Sequence, residues 1–192
     1  MRKAKVERRT AEVDITMKLN IDGKGKGKAE TGIKFLDHFL LTLAKHALFD
    51  MIVKAEGELK HHVCEDVALA LGEALQEALA EKKGIKRFGS ACVPMDDCLA
   101  RVAVDLSGRA CACVELQLSQ PLIEDLKTED IKHFFNSFAQ ASKSNLHLMV
   151  LYGTNDHHKI EAAVKALALA LREAVMLESR ANSEIPSAKG VL

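Results

Sequence analysis

Two copies of one short word, His-His-x-x-Glu, stand 96 positions apart in a chain of 192 residues: His61-His62-Val63-Cys64-Glu65 and His157-His158-Lys159-Ile160-Glu161. Imidazole nitrogens and carboxylate oxygens are ligands for divalent transition metals. On a helix, residue i lies beside i+4, so His61 shares a face with Glu65 and His157 with Glu161, while His62 and His158 point elsewhere and can serve another ion. One such word alone is more often an ordinary helix start than a metal site. Two in one register reverse that balance, and the register continues through Gly57/Gly153, Ala70/Ala166, Leu71/Leu167, Ala74/Ala170, Leu75/Leu171, Glu77/Glu173 and Ala78/Ala174. The sequence therefore reads as a duplicated unit with two equivalent half-sites, and the chemistry expected of it is that of a two-metal enzyme.

Further ligands are sought among the remaining imidazoles. His147 alternates with Leu146 and Leu148 on an expected strand and so faces away from both, which makes it a candidate fourth ligand. His38, inside Phe35-Leu36-Asp37-His38-Phe39, is another, with Asp37 as a carboxylate that would orient it. His133 has no such company in the sequence and reads as surface. Cys111 and Cys113 would share a strand face, but no further soft ligands stand nearby, so a metal site there is not expected. Arg87, Arg109, Lys165 and Lys189 are candidate anion binders, although basic residues are usually solvated surface.

The elements that must position these groups follow from periodicity. Residues 13 to 21 alternate as a half-buried strand, and Asp22-Gly23 supplies a turn, so the start reads as a β-hairpin. The Gly-Lys run from Gly23 to Lys28 lacks a Ser or Thr after its Gly-Lys pairs and reads as a solvated loop tip. Ile33 to Ala47 carries Phe35, Phe39 and Leu43 every four residues and forms an amphipathic helix, with His38, Thr42 and His46 on its other stripe. A strand from Met51 to Leu59 leads into a helix from about His61 to Ala80, ended by Gly84. Strands at 91–95, 98–106 and 110–118 read as an antiparallel meander. A helix near 131–142, a strand at 146–151 and a helix from His157 to about Leu177 repeat the order of the first half. The expected fold is α+β: an internally duplicated sandwich in which each half is a mostly antiparallel sheet packed on helices. One domain of two pseudo-repeats, about 1–95 and 96–192, accounts for the whole sequence.

Composition narrows the class. With 48% apolar residues, the protein has the material for a substantial core. Lys plus Arg equals Asp plus Glu at 27 each, so no global basic field favours nucleic acid or an anionic membrane as partner. Five cysteines with no Cys-x-x-Cys pair fit free thiols in a reducing compartment, and no apolar leader follows Met1, so a cytoplasmic protein is expected.

Six collinear segments now gain a joint meaning: Phe35-Leu36-Asp37-His38-Phe39-Leu40, His61-His62-x-x-Glu65-Asp66, Arg87-Phe88-Gly89-Ser90, Val104-Asp105-Leu106-Ser107-Gly108-Arg109, Tyr152-Gly153-x-Asn155-Asp156-His157-His158-Lys159-Ile160-Glu161-Ala162, and Ile185-Pro186-Ser187-x-Lys189-Gly190. Together they resemble the imidazoleglycerol-phosphate dehydratase family of histidine biosynthesis, from about Arg2 to Leu192. The resemblance implies two manganese ions per site, sites between subunits, and a homo-oligomer of 24 copies. It implies eight metal ligands, with His38, His62, His157 and Glu161 on one ion and His61, Glu65, His147 and His158 on the other. It also implies a catalytic set of Glu12, Glu65 and Glu161, substrate contacts from His46, and phosphate or glycerol contacts from Arg87, Arg109, Lys165, Ser187 and Lys189. The phosphatase domain fused to some members is not expected here. Such a reaction needs cations because the C–H bond to be broken has no carbonyl beside it, so the substrate's imidazole ring must take up the electrons.

Two departures from the family pattern are visible. Lys60 stands before the first word where aspartates are common, so the first half-site is expected to lack a carboxylate that orients its imidazole, whereas the second keeps Asp156. Thr42 stands where many members have Gln. The rival readings are a metal-storage protein, which would require long uninterrupted helices, and a dinuclear hydrolase of a phosphate ester.

Overall fold

The computed structural model describes residues 1–181 and 184–192. Its first half runs β1 (Lys3–Arg9), β2 (Val13–Asn20), β3 (Gly27–Glu30), α1 (Lys34–Ala47), β4 (Asp50–Gly57) and α2 (Lys60–Leu79). The second repeats this order as β5 (Phe88–Met95), β6 (Cys98–Asp105), β7 (Cys111–Glu115), α3 (Thr128–Ala141), β10 (Asn145–Tyr152) and α4 (Asp156–Val175). A small hairpin, β8 (Leu122–Ile123) and β9 (Leu126–Lys127), is added between β7 and α3.

The two sheets have the same topology, β1-β2-β4-β3 and β5-β6-β10-β7. In each, the last pair is parallel and the rest antiparallel. Alternation decides which face is covered: Val13, Ile15, Met17 and Leu19 on β2, and Leu146, Leu148 and Val150 on β10, are buried. Each half is thus a sheet on one side and two helices on the other, as expected for the α+β duplicated sandwich. The halves meet helix to helix, α1 against α4 and α2 against α3. Phe39, Phe134 and Phe135 interlock across this seam with ring centroids 4.7 to 6.0 Å apart.

Several local expectations are corrected. The first hairpin closes at Thr10–Glu12, between β1 and β2, not at Asp22-Gly23, after which the backbone passes to the far edge of the sheet. The Gly-Lys run is therefore only in part a loop, since Gly27 to Glu30 pair with β4. The expected meander is broken because β7 skips β6 and pairs in parallel with β10. Alternation fixes which face a strand buries but not its neighbour. Helix α2 ends at Leu79, with Ala80 at φ 49, well before Gly84. The second repeat begins at Phe88, so a cut at 95/96 would split the β5–β6 hairpin.

The repeat offset is also not constant. β2 and β6 start at Val13 and Cys98, 85 residues apart, whereas α1 and α3 start at Lys34 and Thr128, 94 apart. The β8–β9 hairpin accounts for the difference. Glycine precedes each ligand word for one reason: the backbone passes against the hairpin of its own half. A Cβ on Gly57 would fall 2.9 Å from Glu12 O, and one on Gly153, where φ is 148, would lie well inside contact distance of Cys98 Sγ.

Asp156 opens α4 as a buried anchor. Its carboxylate accepts from Ser119 N, Ser119 Oγ, Gln120 N and Lys159 Nζ, and Lys159 Nζ also donates to Gln117 O at 2.7 Å. Burial opposes its ionisation, but these donors and the Lys159 charge prevail and hold its pKa at about 2.

Gly153→Ala should lower the unfolding free energy by about 1–3 kcal/mol, because the new methyl is strained in φ and in contact; an unchanged urea midpoint would refute the close-approach argument. Asp156→Asn should cost about 3–5 kcal/mol at neutral pH by leaving Lys159 buried without its partner. A carboxylate held at low pKa stabilises above its unfolded value and loses that contribution as pH falls, so the gap between parent and variant should close between about pH 4 and pH 2. Urea melts at both pH values check this.

Candidate metal centre

The second word is set by its helix cap. Asn155 Oδ1 accepts from both His157 N and His158 N, fixing the first turn of α4 so that the side chains diverge. His157 Nε2 turns towards Glu161, 3.5 Å from Oε2, and His38 Nε2 of α1 reaches the same oxygen at 3.8 Å. Three of the four residues expected on one ion, His38, His157 and Glu161, therefore converge within a single copy of the protein. Phe35 packs against the His157 ring at 5.1 Å.

The first word makes a matching group. His61 Nε2 lies 4.0 Å from Glu65 Oε2, and His133 Nε2 lies 3.2 Å from Glu65 Oε1. His133 thus has the company that the sequence concealed: its ring stacks on His61 at 5.5 Å. The expected lack of an orienting acid at this half-site is also corrected. Asp130, buried at 3% exposure, holds His61 Nδ1 at 2.5 Å. That hydrogen bond raises the His61 pKa.

Each histidine of the two words has a carboxylate at Nδ1. Asp130 serves His61, Glu12 serves His62 at 3.4 Å, Glu124 serves His157 at 3.2 Å and Asp97 serves His158 at 3.0 Å. Glu12 and Asp97 occupy the same place in their halves, the residue before Val13 of β2 and before Cys98 of β6. Asp97 also accepts from Thr154 Oγ1, Thr154 N and Asn155 N, and these bonds, with that of His158, keep its pKa well below the usual range. The acids expected to orient imidazoles from the sequence do other work. Asp37 accepts from Thr31 N and Thr31 Oγ1, and Asp156 is the anchor described above.

The inserted hairpin touches both half-sites. Glu124 holds His157, Asp125 accepts from Lys34 N and Phe35 N to cap α1, because the apolar side chain of the N-cap residue Ile33 offers no acceptor, and Lys60 Nζ donates to Asp125 O at 3.0 Å. Among the residues expected to bind substrate, Lys165 Nζ lies 2.8 Å from Glu161 Oε1. Burial opposes Glu161 ionisation, yet Lys165 holds its pKa low; His46 shares this corner, where burial and then the Lys165 charge lower its own.

The remaining candidates lie elsewhere. Arg87 donates to both oxygens of Asp105 and to Pro186 O, tying down the tail that carries Ser187 and Lys189. Its backbone N–H donates to Ala174 O near the end of α4, 17 residues past His157, or about 25 Å along the helix. Arg109 is exposed beside Gly108, against which Leu192 packs. His147 is exposed on the outer face of its sheet, level with Cys113. His62 stands beside its acid outside the convergent groups, and His158 forms a third group with Asp97 and Cys98. A surface cavity lined by residues such as Leu116, Pro121 and Lys132 lies away from the imidazoles.

The donor set suits a borderline transition cation: imidazole nitrogens and carboxylate oxygens, with Nδ1 of each of the four word histidines engaged and Nε2 left to coordinate. No helix among the described residues is long and apolar enough to cross a membrane.

A family model for imidazoleglycerol-phosphate dehydratase matches residues 31–171. The dehydratase of Dehalococcoides mccartyi is 50% identical over 191 residues, covering 100% of this chain and 97% of the relative. That of Methanothermobacter thermautotrophicus is 50% identical over 195 residues, covering 100% and 98%. The crystal structure of the Pyrococcus furiosus dehydratase superposes with a TM-score of 0.85 at 36% identity, covering 97% of this chain and 100% of that one. With the fold, the twin ligand words and full-length likeness in agreement, this chain belongs to the imidazoleglycerol-phosphate dehydratase family of histidine-biosynthesis enzymes.

Proposed function

We propose that the protein dehydrates D-erythro-imidazoleglycerol phosphate to imidazole acetol phosphate and water with two divalent cations, manganese foremost, in the cytoplasm. The observation that carries this reading is the convergence of His38, His157 and Glu161, with Lys165 and His46 beside them, in a member of this family. His38, His157 and Glu161 would hold one cation, and His61 and Glu65 the other, with His62, His147 and His158 completing the sets. When bound, the cations supply Lewis-acid stabilisation of the electron density that the substrate ring takes up.

The protein's own residues do the rest. Glu12 removes the C–H proton from the glycerol arm of the substrate; its carboxylate is 60% exposed on the first hairpin and within 3.4 Å of His62, free to meet substrate beside the ligands. A group of the ligand shell protonates the departing hydroxyl, which leaves as water, and the enol becomes the ketone. Arg109, Lys165, Ser187 and Lys189, with Arg87 behind them, bind the phosphate.

Separation supports a site shared between copies, in line with the 24-subunit assembly implied by the family. His38 and His61 are half exposed, and Arg87 with the tail stands far along α4 from the trios. One copy alone leaves the chemistry open to water, and a neighbouring copy would close it. Exposed Phe88, Tyr152 and Leu122 offer apolar surface for such packing.

Incubation of the protein, manganese and imidazoleglycerol phosphate should yield the ketone without inorganic phosphate, and chelation should abolish turnover. Phosphate release in place of ketone would favour the hydrolase reading, and turnover indifferent to chelation would refute the metal dependence. Glu12→Gln, whose amide oxygen can still accept from His62 Nδ1, should retain manganese while kcat falls about 10²- to 10⁴-fold, the usual worth of a general base; an undiminished kcat would remove Glu12 from that role.

A further inference from the structure

We infer that the outer face of the first sheet binds a nucleoside triphosphate, at a site made by Lys3, Lys5, Lys18, Lys26 and Lys28 around Ile52. Strand register gathers the group. Lys5 of β1 pairs with Lys18 of β2, Lys18 with Ile52 of β4, and Ile52 with Lys28 of β3, so one row crosses all four strands. All four side chains are exposed on the face away from the helices. Lys3 lies two residues before Lys5 on the same face, and Lys26 directly precedes β3. The Gly-Lys run that reads from the sequence as a loop tip thus brings two lysines to a sheet. The row also works against the stability of that sheet, because like charges directly opposite on neighbouring strands repel, and Lys5 and Lys18 are such a pair. Lys5 and Lys28 find partners in the next row, Glu7 and Glu30, whereas Lys3, Lys18 and Lys26 take part in no ion pair among the described residues.

A cavity of about 710 Å³ lies over this end of the sheet, a volume within the range of small-molecule sites. Five lysines line it against one carboxylate, Asp50, which accepts from Lys24 N, Lys26 N and Asn20 Nδ2. The chain as a whole has no net charge, so this excess of four is a local field that draws an anion. A lone phosphate, at about −1.5 to −2, leaves most of it unmatched, whereas a triphosphate chain answers it. Ile52, 48% exposed in the middle of the row, offers an apolar seat for the flat base. Neighbouring strands lie about 4.8 Å apart, so phosphates that follow a base on Ile52 meet Lys18 at about 5 Å and Lys5 at about 10 Å. A long polyanion does not fit, since the next row carries Glu7 and Glu30, and Asp14 and Glu56 lie beyond it. The group is separate from the imidazoles: Glu12 and the first ligand word adjoin the opposite end of β2, where Val13 pairs with Gly57.

The test titrates the full-length protein with ATP by calorimetry at about 0.15 M salt, with inorganic tripolyphosphate as a second probe. One ATP should bind per protomer. Lys18→Gln should weaken it about fivefold, the worth of one contact between unit charges in water, and the triple variant Lys3→Gln/Lys18→Gln/Lys26→Gln about a hundredfold. Ile52→Ser should weaken ATP and leave tripolyphosphate unchanged. Because Lys18 faces Lys5, its replacement should raise the urea midpoint at low salt, which separates a lost ligand contact from a damaged fold. Tripolyphosphate bound as tightly as ATP, with Ile52→Ser without effect, would reject a nucleotide as the occupant. No ATP bound by the parent, or binding untouched by the triple variant as for a nucleotide held elsewhere on the protein, would overturn the site.

Discussion

An imidazole can offer one ring nitrogen to a ligand reliably only when something fixes the other, and every histidine of the two words has a carboxylate at Nδ1. The four acids come from four different places: Glu12 and Asp97 from the hairpins that open each half, Glu124 from the inserted hairpin, and Asp130 from the first turn of α3. Much of the architecture can be read as the means of delivering them. The β1–β2 and β5–β6 hairpins must end beside the start of α2 and α4, which is why Gly57 and Gly153 let the backbone pass so closely. The α2–α3 seam must bring a buried carboxylate over His61.

Duplication supplies symmetry, and the insertion breaks it. Both halves place a hairpin acid on the second histidine of the word, and both lend an imidazole across the helical seam. The first histidines are served differently. His157 takes Glu124 from a hairpin that has no counterpart in the first half, while His61 takes Asp130 from the helix that follows this hairpin. The same short segment caps α1 through Asp125 and is tied to α2 by Lys60. It couples the two half-sites mechanically, and Lys60, which looks from the sequence like a loss, is one of its tethers.

Much of this is legible in the order of residues alone. The helical and strand periods locate the long helices and most strands to within a few residues, because each buries a regular stripe or face. The six shared segments carry the family. Pairing partners are not legible, since β7 has the same alternation whether it lies beside β6 or β10. Orienting acids are not legible either: Asp130 and Glu124 are remote in sequence from the histidines they hold, and nearness along the backbone misleadingly favours Asp37 and Asp156. His133 does leave a signal, the His-Phe pair it shares with α1. An alignment held at the offset of 96 misses it because the inserted hairpin has already shifted the register.

The exchange of imidazoles across the seam bears on how a protein of this design can arise. A solitary half would own a His/Glu pair lacking its third donor and, on another helix, a donor with no pair to join. Two identical halves docked through those helices would complete both sets at a stroke, related by a twofold axis. Joining them end to end keeps that arrangement while releasing each set from identity with the other, and the short stretch between β7 and α3 is where this molecule has used the freedom.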